Sequence, residues 1–94
     1  MVAAGGNVFG LDVEAVRSLA NTLRTQAEQV RTTVTTITSQ MDQTDWNGPD
    51  ATQFQEEWTG THSAKLNEIA AALEQYGTTA DNNANMQQDT SSSY

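Results

Sequence analysis

Residues Asp12 to Met41 read DVEAVRSLANTLRTQAEQVRTTVTTITSQM, with apolar side chains at Val13, Val16, Ala20, Leu23, Ala27, Val30, Val34, Ile37 and Met41. Steps of three and four residues alternate throughout, which places all nine on one stripe of an α-helix. Asp12 is set to cap the first turn through its carboxylate, and Glu14 adds negative charge where the helix dipole favours it. The run Thr32 to Thr38 is rich in β-branched residues and has poor intrinsic helix propensity. Strand alternation would put Thr32 and Thr36 on the same face as Val30 and Val34, so periodicity outweighs propensity and the helix is expected to continue. Such a stretch must draw its stability from packing.

Arg17, Arg24 and Arg31 recur every seven residues beside this stripe, at the coiled-coil e position. Two readings are open. The line is a solvated face with local pairs, Glu14 with Arg17 and Glu28 with Arg31, each contributing a few tenths of a kcal/mol, or it steers the acids of a partner chain.

Outward from this helix the pattern stops between Asp42 and Asp50, where Trp46-Asn47-Gly48 precedes Pro49. Gly48 is free to take a positive φ, and Pro49 suits the first position of a second helix, where its missing N–H costs nothing. The second pattern runs through Ala51, Phe54, Trp58, His62, Leu66, Ile69, Leu73, Tyr76 and Ala80. Its step from Trp58 to Ile69 spans eleven residues rather than a heptad, so the stripe is expected to unwind locally near His62. Gly77 reads as a helix-ending residue, and the Thr-, Asn-, Gln- and Ser-rich end to Tyr94 is too polar to bury itself. The expected organisation is a flexible N-terminus over 1–11, a helical hairpin over 12–83 (helix 12–42, turn 43–48, helix 49–83) and a flexible tail over 84–94.

A chain of 94 residues with 36% hydrophobic side chains has little material for an independent core. Two helices of about 30 residues span roughly 45 Å each, and a hairpin of that length covers only one side of each apolar stripe. The economical cover is a second hairpin, giving an all-α four-helix bundle from two copies or from two related chains. The seam expected to serve as core and dimer contact comprises Val16, Leu23, Val30, Val34, Ile37, Phe54, Trp58, Leu66, Ile69 and Leu73.

The charge of −8, twelve acids against four bases, argues against nucleic acid or an anionic membrane as partner, because both need a basic stripe. The halves differ: four acids and three bases lie before Gln43, eight acids and one base from there on. Without Cys there is neither a disulfide nor a thiolate ligand. The first ten residues lack a basic and apolar signal-peptide pattern, and no stretch approaches the roughly 20 apolar residues of a membrane span. A single His, no glycine-rich phosphate loop and no base-oriented Ser or Thr leave no catalytic constellation, so no enzyme, cofactor or metal is expected. Asp45, Asn47 and Asp50 fail as a calcium loop because Gly48 falls at the fourth position, not the sixth.

Trp46 is a large aromatic in a polar connection, which either staples the turn against the bundle end or is presented to a partner. The tripeptide Trp46-Asn47-Gly48, placed mid-chain between two long helical patterns in a short, Cys-free, acidic chain, resembles the WXG family of small early-secreted-antigen-like proteins. The resemblance covers nearly the whole chain. It implies a hairpin turned at Trp46 and Gly48, head-to-tail pairing into a four-helix bundle with a copy or a WXG-family paralogue, and export without a cleavable signal peptide by the type VII (ESX) secretion system of actinobacteria and some Gram-positive bacteria. The membrane-bound secretion ATPase would be the second partner. The family's export motif is Tyr, three residues, then Asp or Glu. Here Tyr76 is followed at that spacing by Ala80, and Asp81 comes one residue late, a rotation of about 100°. Tyr76 and Asp81 are thus the candidate export signal in relaxed form, unless the chain leaves with a signal-bearing paralogue. Periodicity and acidity alone fit a different class, an intracellular helical adaptor or structural coiled-coil protein.

Overall fold

The computed structural model describes residues 12–92. The expected flexible N-terminus, 1–11, and the last two residues of the expected tail lie outside that range. All regular structure within it is helical. Helix α1 runs Val13–Gln43, α2 runs Pro49–Glu57, and α3 runs Ser63–Ser92 after a five-residue π turn at Trp58–His62.

Asp12 caps α1 as its sequence position suggests: its Oδ1 accepts from the Ala15 N–H at 3.1 Å, from an extended backbone with φ −88 and ψ 104. The β-branched run Thr32 to Thr38 stays helical because Val34 and Ile37 keep the apolar stripe turned toward the second arm. At its far end α1 stops one residue later than expected. Thr44 turns extended, its N–H bonds the Met41 carbonyl at 3.2 Å and its Oγ1 donates to the Gln40 carbonyl at 2.6 Å.

The chain reverses through 44–48, and α3 packs back along α1. Glu57, Trp58 and Ser63 all keep right-handed helical angles, so α2, the π turn and α3 form one continuous arm. The π turn explains the eleven-residue step. Ala51 and Trp58 are buried seven residues apart, and a plain helix would next turn His62 and Lys65 inward. One extra residue in the turn brings Ser63 and Leu66 inward instead, with the Ser63 N–H bonded to the Trp58 carbonyl. His62, which the sequence pattern puts on the stripe, is therefore exposed.

Helix α3 corrects the expected boundary at 83. It continues to Ser92, with Ala84 fully buried and Gln87 only 3% exposed. Gly77 does not end it. A Cβ there would lie 3.2 Å from the Ala20 carbonyl oxygen and 3.3 Å from Arg24 Cγ, so glycine permits close approach of the two arms. The other fully buried positions are equally small: Ala20, Ala27, Ala51 and Ala70. In α3 the buried line is thus Ala70, Gly77 and Ala84, each seven residues from the next, a spine of small residues that a search for large apolar side chains passes over.

The molecule measures 67 × 23 × 18 Å, one helical layer thick. In such a layer Val16, Leu23, Val30, Val34, Ile37, Leu66 and Leu73 reach only partial burial, and Trp58 alone among the large side chains of the seam is buried. Phe54 and Ile69 depart from the expected inner seam, being 37% and 50% exposed. The small residues draw the arms together along a line next to Ile69, which leaves Ile69 on the flank.

Candidate functional site

The tip of the hairpin is built on Trp46-Asn47-Gly48. Gly48 has φ 120, ψ 176, a conformation closed to side-chain-bearing residues, and its carbonyl accepts from the Thr52 N–H at 3.0 Å to begin α2. Nothing lies within 4 Å of a Cβ built there, so backbone conformation, not space, demands the glycine. Pro49 occupies the first turn of α2 as expected. Asn47 Nδ2 donates to Asp45 Oδ1 at 2.9 Å, and the Trp46 N–H bonds the Thr44 carbonyl at 3.1 Å, which folds the connection on itself.

Trp46 is tied to the second arm and at the same time open to solvent. Its ring lies 6.0 Å from Phe54 at 41°, and Phe54 stacks on Trp58 at 6.3 Å and 14°, so it is tied to the second arm. It is also 46% exposed. Beside it opens a recess of about 200 Å³ walled by Ile37, Met41, Trp46 and Phe54. Trp58 anchors the aromatic row: its Nε1 donates to Thr38 Oγ1 at 3.0 Å, which joins the π turn to the β-branched part of α1.

The arginine line faces the second arm, contrary to both readings of the sequence. Arg17 Nη2 bonds Gln88 Oε1 at 2.6 Å, Arg24 Nη1 meets Asp81 Oδ2 at 2.9 Å, and Arg31 holds Glu74 with two bonds of 2.6 and 3.0 Å. Each rung steps seven residues up α1 and seven down α3, which fixes the antiparallel register. Glu74, Asp81 and Gln88 carry the same heptad spacing as the arginines, and that matching period was the available signal. The hydrogen bonds with Arg31 hold the Glu74 carboxyl below its ordinary pKa and raise that of the guanidinium.

The candidate export pair separates. Tyr76 is 62% exposed, whereas Asp81 is engaged by Arg24. Five residues on a helix rotate by about 140°, so the two side chains leave opposite broad faces of the hairpin. Leu19, Ile69 and Met86 accompany Tyr76 as exposed large apolar side chains of α1 and α3. Leu19 and Tyr76 each follow a rung residue, Arg17 and Glu74, by two positions, a rotation of about 200° that carries them to the face opposite the ladder.

Among the described residues, no group of His, Asp or Glu is placed to hold a metal ion. No described helix is long and apolar enough to cross a membrane. Two faces thus define the molecule, an all-helical hairpin with one side crossed by ion pairs and the other exposing Leu19, Ile69 and Tyr76 among polar residues. No protein-family model, curated protein or solved structure matches the chain.

Proposed function

We propose that this chain is a type VII secretion substrate of the WXG kind, whose biochemical act is association: it pairs with a second hairpin into a four-helix bundle and is then taken up by the secretion ATPase. The observation that carries the reading is the tip. A Trp46-Asn47-Gly48 turn with glycine at φ 120 joins two long antiparallel arms and leaves the indole 46% exposed at one end of the rod. The single-layer thickness of 18 Å supports the pairing step, since among the described residues the seam side chains of both arms stay half-buried and a second hairpin would cover them.

On this reading Trp46 belongs to the recognised end of the bundle. Tyr76 contributes from the open face, and Asp81 acts chiefly in fold closure through Arg24, so the relaxed Tyr76/Asp81 signal is weak by itself. The partner hairpin, a copy or a WXG-family paralogue, carries or completes it.

Export of tagged protein from a type VII-competent actinobacterial host, with and without its secretion ATPase, tests the reading. Release into the medium that stops when the ATPase is removed is the expected result. Equal retention in both strains contradicts it. Trp46→Ala should lower release more than it lowers the melting temperature, because Trp46 makes one aromatic contact and no side-chain hydrogen bond.

A further inference from the structure

Asn47 and Gly48 stand together in the exposed connection between the two arms, and Asn47 is the one asparagine of the sequence that a glycine follows. The Gly48 N–H makes no hydrogen bond among the described residues, and nothing lies within 4 Å of where a Cβ would stand, so its nitrogen is unhindered. The Asn47 side chain is held by a single exposed hydrogen bond, Nδ2 to Asp45 Oδ1 at 2.9 Å, of a kind that water replaces at little cost. The other described asparagines are placed differently. Asn21, Asn67, Asn82, Asn83 and Asn85 all lie within helices, where the N–H of the following residue is committed to the carbonyl four positions back and is kept from the side chain.

We propose that Asn47 is a site of spontaneous covalent modification, a deamidation that rewrites the tip of the hairpin as the molecule ages. The Gly48 nitrogen gives up its proton and attacks Asn47 Cγ. The new C–N bond closes a cyclic imide, and the Cγ–Nδ2 bond breaks with release of ammonia. Water, the sole co-reactant, then opens the ring at either carbonyl. Attack at Cγ restores the ordinary peptide bond and leaves aspartate. Attack at the main-chain carbonyl of residue 47 leaves the chain running through the side chain, as isoaspartate with one more carbon in the backbone. Either product sets a carboxylate where the amide had donated to Asp45, so a hydrogen bond becomes a like-charge contact. Asp42 and Asp50 flank the same turn, and no Lys or Arg lies between Arg31 and Lys65 to offset the new charge. The connection that positions Trp46 and starts α2 is thereby loosened.

Prolonged incubation of the full, folded chain in buffer tests this, followed by peptide mapping with mass spectrometry, ion exchange and labelling by isoaspartate methyltransferase. Asn47 should convert about tenfold or more faster than any of the helical asparagines, because only its neighbour's N–H lies outside a helical ladder. The product should elute as a species one charge more negative than the parent's −8. Its rate of formation should rise from about pH 6 to about pH 9, as base removes the Gly48 amide proton more readily. Asn47→Gln, whose longer side chain cannot close the same ring, should remain a single species. Asn47→Asp should co-elute with the aspartate product and contain no isoaspartate when fresh. A folded chain in which Asn47 stays amidated, whatever the same chain does in urea, overturns the inference. So does conversion spread equally over the asparagines of α3, or an acidic species that forms as fast in Asn47→Gln. The inference does not depend on export, and retention of the chain in both host strains leaves it standing.

Discussion

Arg31 of α1 and Glu74 of α3 form a two-bond fork across the hairpin, Nη1 to Oε2 at 2.6 Å and Nη2 to Oε1 at 3.0 Å. It is the middle of a ladder with Arg24–Asp81 and Arg17–Gln88. Planar guanidinium–carboxylate geometry fixes position as well as charge, so the ladder sets which residue of one arm faces which of the other.

The pH dependence of the fork follows from its direction. The folded-state pKa of Glu74 lies below its ordinary value of 4.5, so its contribution is present above that value and is lost as pH falls through the folded pKa. Glu74→Gln should therefore melt below the parent at pH 7, and the gap should close below about pH 4 as the parent's carboxyl is protonated. Thermal unfolding followed by circular dichroism across this range gives the comparison. A gap independent of pH would remove the carboxylate from the account.

Close approach at Gly77 makes size there costly. Gly77→Leu should destabilise by about 1–3 kcal/mol through overpacking against the Ala20 carbonyl and Arg24, despite leucine's better helix propensity. Denaturant titration measures it, and an unchanged midpoint would mean that the arms do not meet as described.

Deleting Gly60 should be tolerated. Trp58 and Ser63 then stand one α-helical turn apart, the π turn becomes α-helix, and both flanking faces keep their direction. Stability is expected to stay level or rise by up to about 1 kcal/mol with removal of a helical glycine. Deleting Ala72 instead rotates the rest of α3 by about 100°, carries Gly77 and Ala84 off the contact and should unfold the hairpin. Similar melting temperatures for the two deletions would contradict the register.

The indole of Trp58 and the hydroxyl of Thr38 should act as a unit. Thr38→Val and Trp58→Phe each remove the same hydrogen bond, with an expected loss of about 1 kcal/mol for the bond itself. The double variant should lose less than the two single losses combined, by about that amount. Strict additivity in urea unfolding would show that the bond contributes nothing.

Much of the architecture was legible in the sequence because helices announce themselves locally. The stripe Val13 to Met41, the cap at Asp12, the glycine at 48 and proline at 49 each act through neighbouring backbone, so α1 and the turn fell within one residue of expectation. The eleven-residue step located the π turn for the same reason. The end of α3 was not legible: Thr, Asn and Gln after Gly77 have no local drive to be helical, and their order comes from Ala84 and Gln87 packing on the other arm.

The sequence by itself determined that there are two long antiparallel helical arms, with a tight turn between them, and that large apolar side chains are too few to enclose a core. Only the tertiary structure decided which faces they turn to one another. That choice depends on distance between arms, which small residues such as Ala20, Ala70 and Gly77 set by letting backbones approach, and on register, which Arg24–Asp81 and Arg31–Glu74 set across more than 40 positions of chain. Neither quantity is a property of any local window, and together they turn Tyr76 outward and tie Asp81 to Arg24 across the arms.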